Sequence, residues 1–250
     1  MRDKILEVCV DSVESAVAAE KGGATRLELC VNLIIGGTTP SVALFDAVRA
    51  AVDIPVNVLI RPRFGDFLYT EHEYNIMCRE ICIFAERGAN AVVIGALNSD
   101  GTMDKEKMSG MIAAANGIRI TMHRAFDVCC DAFKTLEEAL ELGVDTILTS
   151  GQKANAWEGR ELIGALMEKA GERADILVGA GVNAAMIADF RREYPAAHAF
   201  HLSGKTILDS GMTYRNAEVS MGLPGISEFQ VWRTEEESIR RAKDALIVGA

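Results

Sequence analysis

Short runs of aliphatic and β-branched residues alternate along this chain with longer stretches in which apolar positions recur every three or four residues, and the alternation repeats eight times. The strand-like runs cover residues 5–10, 26–30, 56–61, 91–95, 119–123, 146–149, 176–179 and 199–203. Period two over four to six residues predicts strands, and the spacing between them predicts helices. Gly22-Gly23, Gly88 and Gly143 close the first, third and fifth helical stretches. Glycine is favoured there because it takes up positive φ without a steric penalty. Thr135 with Glu138 and Thr234 with Glu237 have the spacing of capping boxes.

Eight strand–helix units predict an α/β single-domain (β/α)8 TIM barrel over residues 1–250, a length usual for that fold. The competing arrangement is an open doubly wound sheet, but no Gly-x-Gly-x-x-Gly follows the first strand. The pattern breaks once. An irregular, glycine-containing segment at 209–229 precedes a last helix expected at 234–247, and a loop of that length inside a domain is usually functional or interface-forming.

Composition narrows the partners. A formal net charge of −10 argues against nucleic acid and against an anionic membrane surface. The first residues lead directly into an alternating segment, and no apolar run approaches the roughly 20 residues that span a bilayer. A cytoplasmic protein is expected. Its six cysteines are scattered through apolar segments, as free thiols of a reducing compartment would be. Cys78 and Cys82 fit a helix core stripe, while Cys129-Cys130 fall in a loop expected to be exposed.

The candidate chemistry lies in the strands. Leu6-Glu7-Val8-Cys9-Val10 and Leu27-Glu28-Leu29-Cys30-Val31 share one pattern, and alternation puts each Glu and its Cys on one face. Leucine and valine claim the face that packs on helices, so Glu7, Cys9, Glu28 and Cys30 point into the lumen. An ionised carboxylate there is costly unless paired. Arg61, at the end of the third strand, and His123, at the end of the fifth, are the expected compensating groups, with His201 in the eighth. Such a mouth suits acid–base chemistry in which Glu7, Glu28 and His123 exchange protons while Arg61 holds an anion. No lysine lies within the eight runs, which argues against a Schiff base.

Gly179, Gly181, Ser203 and Gly204 follow the seventh and eighth strands, where barrels commonly seat a phosphate on backbone N–H groups. Cys9 and Cys30 on neighbouring strands are also candidate ligands for a soft ion such as Cu(I). The ten methionines show no Met-x-x-Met clustering.

Glu7-Val8-Cys9-Val10-Asp11-Ser12, Arg26-Leu27-Glu28-Leu29-Cys30, Gly36-Gly37-Thr38-Thr39-Pro40-Ser41, Ile60-Arg61-Pro62-Arg63, His123-Arg124-Ala125-Phe126-Asp127 and Ile147-Leu148-Thr149-Ser150-Gly151 together resemble the CutC family. The resemblance runs to about Ser203. It implies a cytoplasmic (β/α)8 barrel, a homo-oligomer (dimer or tetramer), a place in copper homeostasis, Cu(I) at Cys9 and Cys30, and no organic cofactor. Ile35, Phe64, Gln152-Lys153 and Ala180 depart from the family's pattern. The expected function is therefore copper homeostasis, with Cu(I) bound at the barrel mouth; the alternative is a barrel enzyme acting by acid–base chemistry on a small anionic metabolite, phosphorylated or not.

Overall fold

The computed structural model describes residues 2–216, 218–219, 221 and 226–248. The elements run β1 (Ile5–Val10), α1 (Val13–Gly22), β2 (Arg26–Leu29), α2 (Val42–Ala51), β3 (Val56–Leu59), α3 (Glu71–Glu86), β4 (Ala91–Ile94) and α4 (Lys105–Ala114). They continue with β5 (Arg119–Met122), α5 (Ala132–Glu141), β6 (Thr146–Thr149), α6 (Arg160–Ala170), β7 (Asp175–Val178), α7 (Ala184–Glu193) and β8 (Ala199–Leu202). The chain ends with β9 (Lys205–Asp209), β10 (Gln230–Thr234) and α8 (Glu236–Val248). Strands β1 to β8 are parallel and close into a barrel, β8 pairing back onto β1. The architecture is a (β/α)8 barrel.

Alternation decides which residues build the two cores. Leu6, Val8, Val10, Leu27, Leu29, Val58, Ile94 and Met122 are almost fully buried and pack outward on the helices, with Phe45, Phe84 and Phe190. Each side chain of that size contributes about 1.5–3 kcal/mol on burial. Inside the lumen the apolar residues are fewer, in clusters of Cys30, Leu59 and Val93 on one side and Leu148, Leu177 and Ala199 on the other. The rest of the lumen is polar.

Most of the strands stop one or two residues sooner than alternation predicts. Cys30, Arg61, Gly95, His123, Gly179 and Ser203 therefore lie just beyond the strand ends, on the loops of the C-terminal rim.

Several local expectations are corrected. The capping box forms at Thr70 and Glu73, opening α3. Helix α5 starts at Ala132 with Asp131 capping Lys134 N at 3.0 Å, which leaves Thr135 buried one turn inside. Thr234 ends β10, where its hydroxyl donates to Ser203 O at 3.1 Å instead of capping α8. On α3 the buried stripe is Met77, Ile81 and Phe84; Cys78 packs half-buried against this core as expected, whereas Cys82 is exposed. Cys129 is buried and only Cys130 is exposed.

The segment expected to be irregular is anchored by an antiparallel ribbon, with Thr206 opposite Arg233 and Ile207 opposite Trp232. Residues 217, 220 and 222–225 of that expectation lie outside the described residues. Ile207, Leu208, Met212 and Tyr214 are exposed along this arm.

Candidate active site

The register of the first strands sets the level of each lumen group. Glu7 lies opposite Arg26 of β2 and His201 of β8, whereas Glu28 lies opposite Cys9 and Asn57. The two glutamates are therefore staggered by one pleat, Glu28 the nearer to the mouth. Glu7 is completely buried. Its Oε2 accepts from Arg26 Nε at 2.6 Å and from Asn57 Nδ2 at 3.0 Å, and its Oε1 lies 2.8 Å from His201 Nδ1. Asn57 is itself held by Asn90, at 2.9 Å. Burial works against the charge on Glu7, but Arg26 and His201 outweigh it and bring its pKa down to about 2. Burial likewise opposes the charge on His201; the Cys9 thiol, Glu28 and Glu7 around it hold its pKa well above the usual imidazole value.

Glu28 is near the charges of His201 and Arg26 but has no hydrogen bond of that kind. It is 6% exposed, its Oε2 has no hydrogen-bond partner, and burial pushes its pKa up to about 7, with His201 opposing and Glu7 reinforcing the rise. A carboxyl group so tuned exchanges protons readily near neutrality.

Arg61 and His123 are not the counter-ions of these glutamates. Arg61 donates through Nη1 to Gly37 O at 3.0 Å and through Nη2 to Gly65 O at 2.8 Å, and its guanidinium stands 5.2 Å from the Phe67 ring centre. It is thus bound by carbonyls and an aromatic face, which do not neutralise it, and its Nε has no partner. The His123 ring packs on Phe67 at 4.8 Å between centroids, and its Nδ1 accepts from Ala125 N at 3.1 Å. A backbone N–H can only donate, so the proton of the neutral ring sits on Nε2, which is buried and unpartnered. Burial and the Arg61 charge depress the His123 pKa to about 3, so it stays neutral. Gly95 gives this ring its room: a Cβ there would stand 2.6 Å from His123 Cε1.

Glu28, His123 and Arg61 converge on one cavity of about 460 Å³ at the C-terminal mouth. His201 and Cys9 form part of its floor, Arg124 lies next to His123 at the end of the fifth strand, and Gly181, Ser203 and Lys205 come from the loops after the seventh and eighth strands. Arg124 is shared between Asp127, at 2.7 Å, and Ser150 Oγ, at 3.0 Å. Lys205, just past the eighth strand, stacks 3.4 Å over the Trp232 ring centre, so the mouth does carry one lysine. Of the expected anion seat, Gly181 and Ser203 reach this cavity. Gly204 instead lines a neighbouring hollow of about 390 Å³ with Lys205, Arg241 and the start of α7. The Gly179 N–H is already spent on Thr149 O at 3.0 Å.

The cysteines part company. Cys9 lines the cavity, with Sγ 3.7 Å from Leu202 O. Cys30 is fully enclosed by Leu59, Val93 and Leu33, and burial raises its thiol pKa well above the usual value. Among the described residues, Glu7, Glu28 and His201 are a trio whose ligand atoms lie within 4.8 Å of one another. Both Glu7 oxygens are already engaged, and Arg26 supplies the positive charge a metal ion would bring.

Sequence reasoning missed Arg26 and Asn57 as lumen residues. Arg26 was open to discovery, since it alternates in phase with Glu28 and must share its lumen face.

Residues 4–206 match the model of the CutC family. A family protein CutC of Parabacteroides distasonis is 44% identical over 239 residues, covering 95% of this chain and 98% of the relative. The mouse copper homeostasis protein cutC homolog is 42% identical, covering 97% of this chain and 91% of that protein. The crystal structure of CutC from Streptococcus agalactiae superposes with a TM-score of 0.75 at 32% identity, covering 80% of this chain and 98% of that one. The chain belongs to the CutC family.

Proposed function

We propose that this CutC-family protein is an enzyme that binds a small anionic metabolite in the barrel mouth and moves a proton on it. The observation that carries this reading is the free Glu28 oxygen, buried on one wall of a 460 Å³ cavity that also presents Arg61, Arg124 and Lys205. A site that only held a metal ion would need neither the volume nor the cations, which repel one. Arg61, fixed by carbonyls rather than a carboxylate, keeps its full charge for an anion. A thermal-shift series with small carboxylates and phosphates tests this. Stabilisation by at least one anion in the wild type, and its loss in Arg61→Met, is the expected result; no stabilisation by any of them refutes the reading.

A second reading keeps the copper link that the family's names carry. Cys9, on the cavity floor beside His201, would be the leading Cu(I) ligand, with Cys30 recruited from its apolar cluster. Cu(I) titrated against a competing chelator distinguishes the two thiols. Equal affinity in wild type and in Cys9→Ser removes this reading, and equal affinity in Cys30→Ser limits it to Cys9. Cytoplasmic location and self-association belong to the same proposal. The exposed apolar arm around Leu208 and Tyr214 supports self-association, and light scattering of wild type against Tyr214→Lys measures it.

A further inference from the structure

Three residues that line the mouth cavity each carry a buried polar atom without a partner: Glu28 Oε2, His123 Nε2 and Arg61 Nε. Leaving a buried polar group unsatisfied is costly, and native structures keep few of them. Three around one cavity describe the ligand that would satisfy them. His123 Nε2–H and Arg61 Nε–H are donors and call for oxygen acceptors. Glu28, ionised, calls for an acidic hydrogen.

The chemistry of His123 sharpens this. Its Nδ1 is committed to the Ala125 N–H, so Nε2 carries a proton and has no second site from which to replace it. Its neutral state lets it donate a hydrogen bond without being an acid that gives its proton away. A neutral imidazole in a dry site is well suited to an oxygen that gains negative charge during reaction, because it supports the charge without a change of protonation state.

We propose that the cavity takes a small carbonyl compound bearing a carboxylate or phosphate, that Glu28 removes a proton from the carbon beside the carbonyl, and that His123 Nε2–H holds the carbonyl oxygen. The proposal rests on the anionic-metabolite reading and names its substrate class. The C–H bond breaks and its proton goes to the Glu28 carboxylate. The freed electron pair forms a carbon–carbon double bond, and the carbonyl π pair moves onto oxygen as an enolate under His123. Return of the proton to the same carbon restores the carbonyl and completes an exchange, with no oxidant or reductant consumed. Arg61 Nε pairs with the anionic group.

The test is proton NMR of the full-length protein in D2O with pyruvate and with dihydroxyacetone phosphate, the two arms separating a carboxylate from a phosphate anchor. Lactate and glycerol 3-phosphate are controls that lack the carbonyl. Wild type is expected to wash out the hydrogens next to the carbonyl of at least one probe, and none of the controls. Glu28→Gln and His123→Phe are each expected to slow exchange by about 100-fold or more. His123→Gln, which keeps an N–H donor, is expected to recover part of the loss, a rescue that a merely structural role would not give. Melting temperatures of the variants separate misfolding from lost chemistry. Calorimetric binding is measured alongside. Probes that bind without exchange, or exchange at wild-type rate in His123→Phe, overturn this proposal and leave the anionic-metabolite reading standing. Failure of all four compounds to bind counts against both.

Discussion

Glu7 and Glu28 sit in the same five-residue pattern on neighbouring strands, yet the barrel treats them oppositely. Glu7 has three hydrogen-bonding partners, one of them a guanidinium, and its pKa falls to about 2. Glu28, one pleat nearer the mouth, has a free oxygen and a pKa pushed up to about 7. The difference is the stagger between the strands, which brings Arg26 level with Glu7 but Cys9 and Asn57 level with Glu28. Residue type made both inward carboxylates possible; register made one a structural anion and the other a reactive group.

Removing Glu7 is the harshest way to break this contrast. Glu7→Ala leaves Arg26 and His201 buried without their anion and should cost roughly 3–5 kcal/mol by urea denaturation at pH 7. A loss under 1 kcal/mol would show that the lower network is not structural. Because the Glu7 pKa is lowered from 4.5 to about 2, its stabilisation is present above pH 4.5 and disappears as pH falls through 2.

Glu28 should behave in the reverse sense. Its pKa is raised from 4.5 to about 7, so the folded state is favoured below pH 4.5 and loses that advantage as pH rises through 7. Glu28→Gln, which stays neutral beside His201, Glu7 and Arg26, should be more stable than wild type by up to about 3 kcal/mol at pH 8 and equal to it near pH 4.5. Paired melting curves at the two pH values check it, and a variant less stable at pH 8 would contradict it. Substituting a group that chemistry needs is expected to exchange activity for stability.

Smaller effects refine the picture. Asn57→Ala takes one hydrogen bond from Glu7 and one from Asn90, and should cost about 1–2 kcal/mol in chemical denaturation while raising the acid midpoint of unfolding. Cys30→Val replaces a small enclosed side chain with a near-isostere in an apolar cluster, so a change under about 1.5 kcal/mol in the same assay is expected. A larger loss would mean that the Cys30 thiol has a polar role.

Much of this was legible before the fold. The eight strands, their inward faces, and Glu28, Arg61 and His123 as mouth residues follow from period-two alternation and from where each run ends; Glu7 was read as inward, but it lies one pleat below the mouth. What alternation could not reveal was partnership. Arg61 and His123 looked like counter-ions because they are basic and close a strand, but Arg61 spends its donors on Gly37 and Gly65, and His123 spends its Nδ1 on Ala125. The β9–β10 arm was hidden because β9 is largely exposed and β10 only half-buried, so they lack the alternation that burial of one face imposes.

The sequence by itself determined the closed barrel, the inward set of charged side chains and the family, because these depend on local periodicity and on residue identity. Only the tertiary structure decided which carboxylate is paired, which imidazole is neutral, and that Cys9 faces the cavity while Cys30 does not. Those outcomes depend on the stagger between strands and on the hydrogen bonds each loop offers. They join residues far apart in the chain, such as Glu7 with His201, whose relative heights are set when the eighth strand closes on the first.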